Sequence, residues 1–155
     1  MRELVTKIGN FLASKKLSIS TAESCTGGLL GANFTAISGS SAWYKGGVIA
    51  YSNEIKEQVL SVLSSTLEKE GAVSAQTVEE MAVGVSRLFD TEYAISISGI
   101  AGPTGGTIEK PVGLVYIGIK AENETLTYKC NFSGNRDEVR DSTVKFCIEK
   151  LIELI

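Results

Sequence analysis

The stretch from Thr21 to Gly28, TAESCTGG, holds the residue types best suited to chemistry in this sequence. It places Ser24 between a strand-like segment and a helix-like segment that opens with glycine. Backbone N–H groups in the first turn of a helix lack intrahelical partners, so they can stabilise an oxyanion that develops nearby. The stretch therefore makes Ser24 a candidate nucleophile. The residues expected to bind the substrate there are Thr26, Gly27 and Gly28.

Other interpretations of this turn remain open. A serine just before a helix is often an N-cap, so Ser24 could have a purely structural role. Cys25 is a rival nucleophile, because a thiol at a helix N-terminus can be acidified. A small buried residue packed under the turn is the alternative interpretation of Cys25.

The chain contains no histidine, which excludes Ser-His-Asp and Cys-His catalysis within it. A serine nucleophile then needs another base, and a lysine is the obvious candidate. Lys56 lies near the start of a helix that Asn53 could cap, where the helix dipole and some burial would lower its pKa. Tyr51 could relay a proton or orient Lys56. A solvated surface lysine and a half-buried sheet tyrosine are the alternatives.

A loop rich in glycine, Gly99–Gly106, follows the strand-like run Tyr93–Ser98. It carries four glycines and one proline in eight residues. Such a loop lets backbone N–H groups approach an anion or a planar ligand, although a long turn between strands is the alternative. No Gly-Lys-Ser/Thr follows, so it is not a Walker P-loop. The residues expected to bind the substrate are Gly99, Gly102, Thr104 and Gly105.

Arg136 and Arg140 lie one helical turn apart, so both guanidinium groups share a face that suits a phosphate or carboxylate. Pairing with the acidic residues beside them, Asp137, Glu138 or Asp141, is the alternative. Arg136 is the candidate for a phosphate.

The composition of the 155 residues excludes several function classes. The net charge of −3, without a lysine or arginine block, argues against a nucleic-acid or anionic-membrane partner. There is no long apolar run and no signal-peptide layout at the start. Three widely spaced cysteines form neither a disulfide framework nor a metal knuckle, so we expect a cytoplasmic protein without a metal.

Hydrophobic periodicity predicts the elements that must position these residues. Helices are predicted over residues 3–16 and 26–37 and after caps at Asn53, Ser74 and Asn135; strands are predicted over residues 17–22, 47–51, 93–98, 113–121 and 125–132. Early alternation of strand and helix favours parallel strands, and the hairpin at residues 122–124 adds an antiparallel one. We expect a three-layer α/β/α sandwich with a mixed five-stranded sheet, one strand antiparallel. Ligands bind at the carboxyl ends of strands in such sheets, where the three loops would surround one cleft.

Five motifs together resemble a known family, that of the C-terminal domain of the competence/damage-inducible protein CinA. They are TAESCTGG (21–28), GGVIAYSNEIK (46–56), GAVS (71–74), SGIAGPTGG (98–106) and EKPVG (109–113). The resemblance covers nearly the whole chain and implies a single domain over residues 1–155. Two positions depart from the family pattern: Ser98 stands where threonine is more frequent, and Asn135 stands where aspartate is usual.

The resemblance implies an activity, because stand-alone members of this family are nicotinamide-nucleotide amidases. It implies hydrolysis of the carboxamide of nicotinamide mononucleotide, with Ser24 as nucleophile, Lys56 as base and Tyr51 in support. It implies no cofactor, a pyridine nucleotide as the small-molecule partner, and a homo-oligomer. A non-catalytic nucleotide-binding or interaction module on the same fold, and an amidase for another small carboxamide, remain as alternatives.

Overall fold

The computed structural model describes residues 1–155 as six α-helices around one sheet. The helices are α1 (Arg2–Lys15), α2 (Leu29–Thr35), α3 (Asn53–Gln58), α4 (Ser64–Glu70), α5 (Ala75–Phe89) and α6 (Arg136–Leu154). The strands are β1 (Ile19–Glu23), β2 (Tyr44–Ile49), β3 (Tyr93–Gly99), β4 (Leu114–Ala121) and β5 (Glu124–Asn131). None of the helices is long and apolar enough to cross a lipid bilayer.

The five strands form one mixed sheet in the order β2-β1-β3-β4-β5. β1 pairs in parallel with both β2 and β3, so the carboxyl ends of these three strands meet at one edge. β4 runs antiparallel to both of its neighbours, β3 and β5. The expected sheet, with a single antiparallel strand, is therefore confirmed.

Helices cover both faces of the sheet, which confirms the three-layer sandwich. α1, α2 and α6 pack on one face, and α5 lies across the other with α4 beside it. Successive side chains of β3 point to opposite faces of the sheet. Ile95 and Ile97 therefore pack in the larger core, while Ala94 packs in the smaller core under α5. Glycine in β4 lets α5 pack close to the sheet, because a Cβ built on Gly118 would lie only 2.7 Å from the Val78 carbonyl oxygen of α5.

Two predicted helix starts are confirmed by their caps. The Ser74 hydroxyl accepts a hydrogen bond from the Thr77 N–H at the start of α5. α6 begins with a capping box in which Asn135 and Glu138 each accept from the other's backbone N–H. These reciprocal bonds fix where α6 begins and thus where Arg136 stands.

Other element boundaries differ from the prediction. Ser52, not Asn53, caps α3, because the Ser52 hydroxyl accepts from the Ile55 N–H at 3.2 Å. β2 starts at Tyr44 rather than Gly47, since its two central glycines hide the strand pattern. α4 was not predicted from the sequence, because its start is held by Glu80 of α5, which accepts from the Leu63 N–H and the Thr66 hydroxyl, instead of by a local cap.

Candidate active site

Ser24 stands directly after β1, at the sheet edge where the parallel strands end. Its backbone N–H donates to the Ile97 carbonyl on β3 at 3.0 Å, and its own carbonyl accepts from the Gly27 N–H at 3.0 Å. These two bonds hold the backbone of the turn on both sides of the side chain. Ser24 is 8% exposed, so its hydroxyl faces a sheltered space rather than bulk water.

Lys56 reaches Ser24 from the first turns of α3. Its side chain is 1% exposed, and its Nζ lies 3.2 Å from Ser24 Oγ and 2.9 Å from the Ala50 carbonyl oxygen. No carboxylate pairs with it. Burial therefore lowers the pKa of the Lys56 ammonium, and a weaker contribution from Cys25 opposes that effect. A lysine whose charged form is disfavoured by burial can act as a base.

Cys25 also borders this space, but its thiol is held in the neutral form. Burial raises the pKa of Cys25 to about 11, and the charge of Glu23 adds to the rise, while a hydrogen bond from the Cys25 backbone and the charges of Arg136 and Arg140 act the other way. The thiolate is the nucleophilic form of cysteine, and very little of it exists at neutral pH with such a pKa. The electrostatics thus favour Ser24 over Cys25.

One cavity of about 350 Å³ brings most of the predicted site residues together. From the sequence predictions it contains Ser24, Tyr51, Lys56, Gly99, Gly102, Thr104, Gly105 and Arg136. Lining residues not predicted to bind substrate are Cys25, Asn53, Ala72, Val73, Ser98, Ile100 and Ala101. The three loops expected around one cleft do share it.

The glycine-rich loop, most of which lines this cavity, carries several backbone N–H groups without partners. It is pinned at its base, where the Ile100 N–H donates to the Leu114 carbonyl and the Gly113 N–H donates to the Ile100 carbonyl. Between these anchors the N–H groups of five residues donate no hydrogen bond within the chain. They belong to Ala101, Gly102, Thr104, Gly105 and Gly106. Such a set of donors suits an anionic or strongly polar ligand.

The turn after Ser24 departs from the prediction. The buried Glu23 carboxylate accepts from the N–H groups of Gly28, Leu30 and Gly31 at 2.8 to 3.1 Å. The start of α2 is therefore already occupied by an anion from the chain itself. Thr26, Gly27 and Gly28 do not line the cavity, and the free N–H groups beside Ser24 are those of Cys25 and Thr26.

Tyr51 and Arg136 meet at the mouth of the cavity, which also differs from expectation. The Tyr51 side chain makes no hydrogen bond to Lys56 or Ser24. Instead, Arg136 Nη2 donates to the Tyr51 hydroxyl at 3.2 Å, and Arg136 Nη1 donates to the Gly102 carbonyl at 2.8 Å. Arg140 points elsewhere, to the Thr26 carbonyl at 3.1 Å and to Asp137 at 3.6 Å.

The segment before α5 forms a wall that the sequence analysis did not assign to the site. Ala72 and Val73 line the cavity, and the Ala72 carbonyl accepts from the Ser98 hydroxyl at 2.7 Å. The hydroxyls of Ser74 and Thr77 both donate to the Gly71 carbonyl. The GAVS motif was the available signal for this wall, although the sequence alone indicated only a helix cap there.

Comparison with known proteins agrees with this architecture and site. The model of the CinA C-terminal domain family matches residues 1–155, and the chain belongs to that family. It is 43% identical over 152 residues to the nicotinamide-nucleotide amidohydrolase PncC of Shigella flexneri, covering 97% of this chain and 92% of that protein. The crystal structure of the competence/damage inducible protein CihA from Agrobacterium tumefaciens superposes with a TM-score of 0.96 at 42% identity, covering 99% of this chain and 94% of that one.

Other relatives are much longer than this chain. A CinA-like protein of Endomicrobium trichonymphae is 49% identical over 148 residues, which are 96% of this chain but 35% of that protein. The chain spans about a third of the length of such curated relatives.

Proposed function

We propose that this protein hydrolyses the carboxamide of nicotinamide mononucleotide to nicotinic acid mononucleotide and ammonia. The name of the Shigella relative supports the substrate, since that protein matches this chain over nearly the full length of both. The observation that carries the chemistry is the buried Lys56 amine within 3.2 Å of the Ser24 hydroxyl. A base and a nucleophile at this distance form an activated pair when burial lowers the pKa of the base.

In the first half of the reaction the neutral Lys56 amine takes the Ser24 proton while Oγ attacks the amide carbon. A C–O bond forms, and the carbonyl electron pair becomes an oxyanion. The unpartnered N–H groups of Cys25 and Thr26 are the donors in the turn that could stabilise this charge. Lys56 then returns the proton to the amide nitrogen, the C–N bond breaks, and ammonia leaves an ester on Ser24.

In the second half a water molecule replaces ammonia and the steps run in reverse. Lys56 takes a proton from the water, whose oxygen attacks the ester carbon. The C–O bond to Ser24 breaks, and the proton passes from Lys56 to Oγ. The product is a carboxylic acid that ionises at neutral pH, and the Ser24–Lys56 pair returns to its starting state.

Recognition of the nucleotide falls to the other loops. Arg136 lines the cavity with donors suited to a phosphate, and the five free N–H groups between Ala101 and Gly106 add to the positive field. A cavity of about 350 Å³ lies within the range of small-molecule sites. We place the phosphate near Arg136 and the carboxamide at Ser24.

Ammonia release from nicotinamide mononucleotide tests the proposal, with wild type, Ser24→Ala and Lys56→Met compared. The exposed Ser65→Ala and Lys129→Met are matched controls. We expect turnover in wild type and both controls, and a loss of roughly a thousandfold or more in the two site variants. Turnover that survives in Ser24→Ala would overturn the nucleophile. A folded wild type that releases ammonia from another carboxamide, but not from the mononucleotide, would overturn the substrate.

A further inference from the structure

One guanidinium group ties two walls of the cavity mouth together. Arg136 donates through Nη2 to the Tyr51 hydroxyl at 3.2 Å and through Nη1 to the Gly102 carbonyl at 2.8 Å. Tyr51 belongs to the loop after β2, and Gly102 belongs to the loop after β3. Each terminal nitrogen of Arg136 therefore uses one of its two N–H groups on the protein.

Tyr51 follows directly, along the chain, a residue that is hydrogen-bonded to Lys56. The residue before it, Ala50, uses its carbonyl to accept the hydrogen bond from Lys56 Nζ. Tyr51 lines the same cavity as Ser24 and Lys56, yet its side chain is 63% exposed and its hydroxyl is bonded to Arg136. While that bond exists, Arg136 keeps the phenol at the mouth and away from the reacting pair.

A phosphate would compete for both hydrogen bonds of Arg136. Hydrogen bonds between a guanidinium and a phosphate dianion gain the attraction between opposite charges, which bonds to neutral oxygens lack, and they are often bidentate. The Tyr51 hydroxyl is a neutral acceptor on an exposed side chain, whereas the Gly102 carbonyl is a neutral acceptor in a buried residue. Of the two bonds, the one to Tyr51 is therefore the easier for a bound phosphate to displace.

We propose that Arg136 makes the activity of the Ser24–Lys56 pair depend on a phosphate in the substrate, by holding Tyr51 at the mouth until the phosphate displaces it. Arg136 is thus a specificity-determining residue that acts on turnover through Tyr51, in addition to any contribution to affinity. The proposal rests on the proposed function for the identity of the substrate. It assigns discrimination between a nucleotide and its nucleoside largely to kcat.

The first experiment observes Tyr51 without any reaction. Wild type, Tyr51→Phe and Arg136→Met are labelled with ¹³C at the tyrosine Cζ, and the resonance absent from Tyr51→Phe is that of Tyr51. Inorganic phosphite, a dianion of the right shape, is then added. We expect the Tyr51 resonance to shift in wild type and in the exposed control Arg87→Met, and to stay unchanged in Arg136→Met. An unchanged Tyr51 resonance in wild type at saturating phosphite would overturn the proposal.

The second experiment measures turnover of a substrate divided into two pieces. Nicotinamide riboside lacks the phosphate, and phosphite supplies it separately. We expect phosphite to raise kcat for the riboside by roughly tenfold or more in wild type and Arg87→Met, and by less than about twofold in Arg136→Met and Tyr51→Phe. An equal activation in Tyr51→Phe would mean that Arg136 acts without Tyr51, and it would overturn the coupling.

The two experiments separate failure of this proposal from failure of the proposed function. Loss of the phosphite effect in a wild type that hydrolyses the mononucleotide rejects the coupling alone. A phosphite-dependent shift of Tyr51 in a wild type that cleaves neither pyridine substrate rejects the proposed substrate, and the link between Arg136 and Tyr51 remains.

Discussion

Lys56 combines burial with the absence of a counter-ion, and its titration should govern the reaction. The base must be neutral, so kcat/KM should rise with pH as the Lys56 ammonium loses its proton. Because burial lowers the pKa of Lys56, the rise should be centred below the ordinary lysine value of 10.5. A pH profile of kcat/KM from pH 5 to about 10 checks this. A flat profile through that range would contradict the assignment of Lys56 as the base.

The same burial should cost the fold stability. Between the lowered pKa of Lys56 in the folded state and 10.5 in the unfolded state, the unfolded chain binds more protons, so stability rises with pH. Lys56→Met removes the cost of burying a charged ammonium. We expect this variant to be inactive but more stable than wild type by roughly 1 kcal/mol in unfolding free energy at pH 7. The gain should be largest below the folded-state pKa and should vanish above 10.5. Urea unfolding at several pH values measures it, and a variant less stable than wild type at every pH would contradict the argument.

Glu23 fixes the turn that carries Ser24 without touching the reacting atoms in the proposed mechanism. In Glu23→Gln the amide NH₂ would face a backbone N–H, leaving a buried donor unsatisfied. We expect a loss of about 2 kcal/mol in unfolding free energy and a fall in kcat, with KM nearly unchanged. Glu54→Gln, at an exposed position, is the matched control. A Glu23→Gln variant equal to wild type in both stability and kcat would show that the turn does not depend on the Glu23 carboxylate.

At this scale the sequence predicted the cavity residues better than their contacts. The missing histidine indicated a lysine base, and the resemblance to the CinA C-terminal domain family paired Ser24 with Lys56. The hydrogen bonds of Glu23 could not be foreseen, because they depend on how β1 leads into α2 in three dimensions. For the same reason the sequence could not show that Arg136, far along the chain, reaches Tyr51.

Among the elements, the contact between α5 and the segment that follows α3 depends on a glycine. A Cβ built on Gly84 would lie 1.9 Å from the Leu60 carbonyl oxygen. Alanine normally stabilises a helix by about 1 kcal/mol over glycine, but here we expect Gly84→Ala to destabilise by roughly 3 kcal/mol or more, because backbone must move. Glu79→Ala, at an exposed position of the same helix, is the control. Thermal unfolding shows whether Gly84→Ala raises or lowers the stability. A Gly84→Ala variant more stable than wild type would contradict the packing described.

Elements with local signals were predicted, and those with distant partners were not. α5 and α6 carry their own caps, Ser74 and Asn135, so their starts could be read along the chain. α4 depends on Glu80 from the following helix, and its N-cap position is Leu63, which makes no side-chain cap. A helix whose first turn is satisfied from elsewhere leaves little local trace in the sequence.

For the whole molecule, binding of the substrate should appear as added stability. With Ser24→Ala, which cannot turn over, nicotinamide mononucleotide at 100 times its Kd should add about 2.7 kcal/mol and raise Tm by several degrees. Arg136→Met in the same background should show a smaller rise, because the phosphate loses its partner. Thermal scans against ligand concentration measure both. Equal shifts with and without Arg136 would place the phosphate elsewhere in the cavity.

The single antiparallel strand has a consequence for how this protein can change. Because β4 runs against β3, the chain between them is a loop that leaves and re-enters the sheet at the same edge, anchored by Ile100, Gly113 and Leu114. Ser24 and Lys56 belong to the parallel half, and no backbone hydrogen bond joins either of them to this loop. The recognition loop and the backbone that holds the reacting pair can therefore change separately, apart from the bond between Arg136 and Gly102. Exchange of residues 101–112 between relatives is then a modular route to altered nucleotide recognition, with the Ser24–Lys56 pair left in place.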